Sequence, residues 1–75
     1  MFSRKHPGLN REVLCSLYSG NAVSGVLVKV TGPRLMPRLI LRGAMIHEPG
    51  VDAVPADGEI VLSEVNIDYV QIVSP

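Results

Sequence analysis

The run AVSGVLVKVT, residues 22–31, constrains this chain more than any other stretch. The branched Cβ of valine packs well on a pleated surface and loses rotamer freedom in a helix, so the run reads as one long strand. Gly25 interrupts it. Glycine brings no side chain to the packing and weakens a strand interior, so its place there needs a reason. The reason the sequence suggests is curvature, since a glycine inside a long strand lets a small sheet turn a corner. Apolar residues occupy both faces of the run, Val26, Val28 and Val30 on one and Val23 with Leu27 on the other. A strand that changes sheets at a bend would need both.

The remaining segments fit around that strand. EVLCSLY, residues 12–18, alternates as a strand, and the glycine-containing SGN at 19–21 reads as a tight hairpin. GPRLMP at 32–37 is a turn bounded by prolines. RLILRGAMIH at 38–47 is a third strand, with Leu39, Leu41, Gly43 and Met45 expected on one face. Gly43 offers a second bend. EPGVDAVPADG at 48–58 reads as a long loop, EIVLS at 59–63 as a fourth strand and IDYVQIV at 67–73 as a fifth. Regular short strands without a long helical period imply an all-β fold. The expectation is a five-stranded, bent antiparallel small barrel over residues 12–75, preceded by a short irregular arm over 1–11 with one helical turn near Asn10.

A single domain of 75 residues is marginal on its own. Such domains commonly gain stability from disulfides, a metal or oligomerisation. Cys15 is the sole cysteine, so no internal disulfide can form, and it reads as a small buried hydrophobe. His6 and His47 have no partners at ligand spacing, so no metal and no cofactor is expected. That leaves self-association or docking on a larger assembly. No apolar run approaches the length of a membrane span, and MFSRKHPGLN lacks the apolar region of a signal peptide.

Charges are sorted along the chain. Residues 1–47 hold all seven basic residues and one acid, Glu12, a balance of +6. Residues 48–75 hold six acids and no Lys or Arg, a balance of −6. Arg34, Arg38 and Arg42 recur at even spacing and suggest either a solvated face or a patch for phosphate or an acidic partner. Asp57-Gly58-Glu59 reads as a turn, since Asp-Gly readily supplies a left-handed residue. Glu12, Glu48 and the histidines form no nucleophile–base pattern, so the chain is not expected to be an enzyme. The loop 48–58, with Val51, Ala53, Val54 and Ala56 among acids, is a candidate docking element, as is the arm with Phe2, Arg4 and Lys5.

At this point the residues resemble a known family. Val23-x-Gly25-x-Leu27 and the later Leu41 resemble the first Sm motif, and Ile67-x-Tyr69-Val70 resembles the end of the second. The resemblance spans residues 12–73 and implies an Sm-like, SH3-like barrel whose fourth strand pairs with the fifth strand of the next subunit to close a ring. It thereby marks Glu59, Ile60, Val61, Leu62, Asp68, Tyr69, Val70 and Ile72 as subunit contacts, with Arg34, Arg38 and Arg42 as further partner contacts. RNA-binding members carry an Asp and a Met-Asn pair in the turn where this chain has Gly32 to Pro37. They also carry an Arg-Gly where it has Ser63 and Glu64. On that ground nucleic-acid binding is not the first expectation. Gly25-Val26-Leu27, Leu41-Arg42-Gly43-Ala44 and Asp57-Gly58-Glu59 also resemble small structural or accessory proteins of actinobacterial tailed phages. That likeness implies a non-enzymatic virion component, a head decoration or head–tail accessory. It would oligomerise or dock on larger phage proteins, in the virion, or in the cytoplasm if the chain is not phage-encoded. The alternative is an Sm/Hfq-type ring that binds RNA.

Overall fold

The computed structural model describes residues 6–73. Its strands are β1 (Glu12–Leu17), β2 (Ala22–Thr31), β3 (Arg38–His47), β4 (Val54–Pro55), β5 (Glu59–Ser63) and β6 (Ile67–Ile72), with a 3-10 turn at Glu64–Asn66. All pairings are antiparallel. β2 and β3 run side by side along their full lengths and form the spine. The start of β2 pairs with β1, and β1 pairs with β6. The start of β3 pairs with β5, and its end with β4. The chain therefore builds two half-sheets that share a spine.

The corner lies where the sequence placed a glycine. Between Ser24↔Met45 and Val26↔Arg42, β2 advances two residues while β3 advances three. β3 thus carries one extra residue, a bulge that bends the strand and increases its twist. Gly43 sits in this bulge with φ of 61°, a left-handed conformation. Gly25 lies opposite, where the two backbones nearly touch. A Cβ on Gly25 would stand 3.0 Å from the Arg42 carbonyl oxygen and 3.2 Å from the Ala44 Cα. Gly25 is therefore there for close backbone approach, and Gly43 for the bulge that creates it.

The bulge changes which side chains face inward. The alternation Leu39, Leu41, Gly43, Met45 does not hold as one face: Leu39 and Leu41 are buried, and after the extra residue Ala44 is buried instead of Met45. A second irregularity, between Leu27 and Lys29, does the same to β2. Leu27 is buried, and beyond it Val30 packs against the core, so Val26, Val28 and Val30 do not share one continuous face. The core consists of Val13, Cys15, Val23, Leu27, Leu39, Leu41, Ala44 and Ile67, drawn from β1, β2, β3 and β6. Leu9, Leu17, Ile60, Leu62 and Val70 seal its margins.

Two expectations need adjusting. There are six strands, not five, because Val54–Pro55 inside the expected loop pairs with Met45 and Ile46. Pro55 has no N–H to give, which suits it to a short edge strand. Residues 1–5 of the expected arm lie outside the described residues. Residues 6–11 are tied to the barrel: Leu9 N donates to His6 O and Arg11 N to Gly8 O, a local turn, while Asn10 N donates to Leu27 O and Leu27 N to Arg11 O.

The two glycines should respond differently to substitution. Gly25→Ala is expected to destabilise by about 1–2 kcal/mol, since overpacking against backbone costs about 1–3 and the stiffer unfolded chain returns about 0.4–1. At Gly43 a Cβ would meet nothing within 4 Å. Gly43→Ala should therefore cost about 1 kcal/mol through its φ alone, and Gly43→Asn less. Urea midpoints of the three variants check this ranking; equal losses at both positions would contradict the close-approach argument.

Candidate functional site

The most conspicuous feature is a pair of open edges. Among the described residues β5 pairs only with β3, and β6 only with β1. An unpaired edge presents backbone donors and acceptors to another chain. On β5, Ile60 and Leu62 turn toward the core, while Val61 is 56% exposed and Glu59 reaches outward. On β6, Val70 packs against the core and Tyr69 is 58% exposed. Asp68 is the extra residue of a bulge between Tyr69 and Ile67. Ile72 lies near the end of the strand, opposite Val13. The eight edge residues expected as subunit contacts thus fall on the two free edges, but Ile60, Leu62 and Val70 contribute mainly to the core.

A second feature is the outer face over β5, β3 and β2. Register places Glu59, Arg42 and Val26 in one row, Val61, Ile40 and Lys29 in the next, and Ser63, Arg38 and Thr31 in the third. Arg38 and Arg42 share this face, and Lys29 joins them. Arg42 Nη2 donates to Glu59 Oε2 at 2.9 Å, in a pair that is 69% and 44% exposed. The Arg38 Nη1 reaches back over Gly32, 3.3 Å from where a Cβ of Gly32 would stand. Arg34 does not extend the row; it sits in the turn before β3. The sequence therefore over-read the even arginine spacing and missed Lys29, because its place beside Ile40 depends on the register shift after Leu27.

A third feature is the end of the barrel where two turns meet. Met36 N donates to Pro33 O at 3.0 Å, closing the turn between β2 and β3. Glu64 N donates to Pro37 O at 3.0 Å and draws the 3-10 turn against it. These are the two stretches in which the chain departs from the Sm motifs. The exposed side chains here are Leu35, Met36 and Val65, with Arg34 and Glu64 beside them.

Elsewhere, Ser24 Oγ and His47 Nε2 lie 2.9 Å apart and tie β2 to β3 on the outside of the other half-sheet. In loop 48–58, Val51 and Val54 are exposed and Ala56 packs on the core, with Ala56 N bonded to Ala44 O. Cys15 is fully buried, and burial pushes its thiol pKa up. The described residues hold no group of three or more His, Cys, Asp or Glu able to bind a metal ion. No helix among them is long and apolar enough to cross a membrane.

No family model matches the chain, and no curated protein matches it. Solved structures do. One is a Pyrococcus abyssii Sm protein in complex with a uridine heptamer, 23% identical, with a TM-score of 0.70 over 91% of this chain and 99% of that one. The fold is Sm-like. Another is a chain of the NatC complex bound to CoA, 18% identical, with a TM-score of 0.73 over 96% of this chain and 88% of that one. At these identities the likeness establishes the barrel and its bend, which the Sm motif residues had implied.

Two outcomes follow from these surfaces. Cys15 should resist an aromatic disulfide reagent in the native protein and react only as the chain unfolds, because both access and thiolate fraction are suppressed. Rapid stoichiometric labelling at neutral pH would contradict that. Arg42→Ala should cost no more than about 1 kcal/mol of stability, since its ion pair is solvent-exposed; the thermal midpoint measures it.

Proposed function

We propose that the chain acts by contact, closing through β5 and β6 into an Sm-type ring whose cationic sheet face binds single-stranded RNA. The observation that carries this reading is the pair of open edges on a barrel resembling that of a protein solved with a uridine heptamer. Strand addition across the edges would supply the extra buried surface that so small a domain needs. Val61 and Tyr69 would gain cover as the edges join.

The turn end suits RNA poorly. It lacks the Asp, Met-Asn and Arg-Gly residues that the family resemblance leads one to expect there, and Glu64 adds negative charge. Carboxylates oppose phosphate binding. The face bearing Lys29, Arg38 and Arg42 is better suited, since it holds three cations against Glu59, and one of them, Arg42, is already engaged. Such contacts give affinity without base readout. The cytoplasm is the corresponding location.

A second reading makes the chain a docking part of a phage particle, such as a head decoration or head–tail accessory located in the virion. Exposed Leu35, Met36 and Val65, in place of nucleotide-binding side chains, favour it. Apolar turn tips suit protein contact.

Native mass spectrometry at micromolar concentration tests assembly. A discrete closed oligomer is expected, with Val61→Glu/Tyr69→Glu reduced to a folded monomer; a monomeric parent protein would refute ring closure. Fluorescently labelled oligouridine then tests the ligand. Binding should weaken linearly in log salt, and Lys29→Ala should lower that slope by about 1. An assembled ring that fails to bind oligouridine at low salt would leave the virion reading in place of the RNA one.

A further inference from the structure

We infer that the turn end of this barrel pairs with the same end of a second copy about a two-fold axis, so that assembled rings join end to end. Leu35 is 91% exposed, more than any other large apolar side chain described. Met36 and Val65 stand beside it, brought onto one end by the bond from Glu64 N to Pro37 O. Both turns are held: Pro33 and Pro37 fix their own φ, and Met36 N closes on Pro33 O. Little ordering entropy would therefore be lost when this tip is covered.

The charges at the tip identify what covers it. Arg34 lies on one turn and Glu64 begins the other, with the apolar side chains between them. A two-fold axis through that centre sets each Arg34 against the partner copy's carboxylate at the equivalent of Glu64, and the reverse. A patch with an apolar centre and one charge of each sign on either side is self-complementary, as a two-fold contact requires. An RNA strand would meet Glu64 instead.

Three side chains per copy fall short of the roughly 800 Å² per partner of a stable interface. The pairing of single barrels is therefore weak. A ring presents the tip once per subunit, and the linked contacts reinforce one another. That reinforcement rests on the ring proposed above; the two-fold contact itself does not.

Light scattering across a concentration series, on the full chain and its variants, decides the matter. The wild-type mass is expected to be twice that of Leu35→Asp at high concentration, with equal thermal midpoints, since Leu35 lies outside the core. Arg34→Glu and Glu64→Arg should each lose the doubling, and the double exchange should regain it. A Leu35→Asp mass equal to wild type at every concentration overturns the inference and leaves ring closure standing. So does a double exchange that stays single, or oligouridine binding lost in Leu35→Asp without a change in mass. A wild type that passes only from monomer to dimer, and does so through Leu35, refutes the ring and upholds the pairing.

Discussion

The close approach of two backbones at Gly25 is the constraint on which this structure depends. A Cβ there would press on the Arg42 carbonyl and on Ala44. Because that space is empty, β3 can carry its extra residue at Gly43, and the spine can bend. The bend lets Val23 and Leu27 on one strand, and Leu41 and Ala44 on the other, enclose a single core. It also divides the spine's partners, so that β1 and β6 lie on one half-sheet and β5 on the other. The two free edges are thus a consequence of the same glycine.

The core formed this way is small and free of polar compromise. No polar or charged residue is buried, and no buried side-chain polar atom among those described lacks a partner. Specificity of the fold rests on backbone pairing and on the bulges, which lock register by deciding which side chains face inward. A domain of this size buries only about 60% of its unfolded surface. Covering the edges would raise that fraction without enlarging the core. The turn tip poses the same question at another place, since Leu35 and Met36 gain nothing from the barrel to which they are attached.

How much of this was legible beforehand can be argued residue by residue. Strand positions were, because Val, Ile and Leu alternate between clear turn signals in every long segment. The bend was legible through Gly25, since few other reasons put a glycine in a valine run. Facing was not legible past the bulges: Met45 and Ala44 exchange roles through one extra residue, and composition does not reveal where that residue is absorbed. Lys29 escaped notice for the same reason, its neighbour Ile40 being set by a register shift. The pairing of Val54–Pro55 left no pattern, since a two-residue strand containing proline has no alternation to read. The meeting of the two turns is a tertiary fact, resting on one bond between Glu64 and Pro37.

The sorting of charge along the chain acquires a physical meaning in the fold. Cations from the first half gather on the spine, with Lys29 on β2 and Arg38 and Arg42 on β3. The edges to be joined carry Glu59 and, next to it in sequence, Glu64 on one side and Asp68 on the other, with no Lys or Arg in either strand. Arg42 relieves Glu59, which leaves Glu64 and Asp68 without a salt-bridge partner among the described residues. Joining such edges brings like charges together, within reach of one another at ionic strengths where screening extends over about 10 Å. Edge pairing must then be driven by backbone hydrogen bonds and by cover for Val61 and Tyr69, and salt would favour it. Binding of a polyanion to the spine face has the opposite dependence, because salt competes for the same cations. The two halves of the proposed function therefore pull against each other with ionic strength. An anionic ligand could not relieve the edge repulsion by neutralising the spine, so assembly and ligand binding on this barrel would be separate steps, governed by different residues.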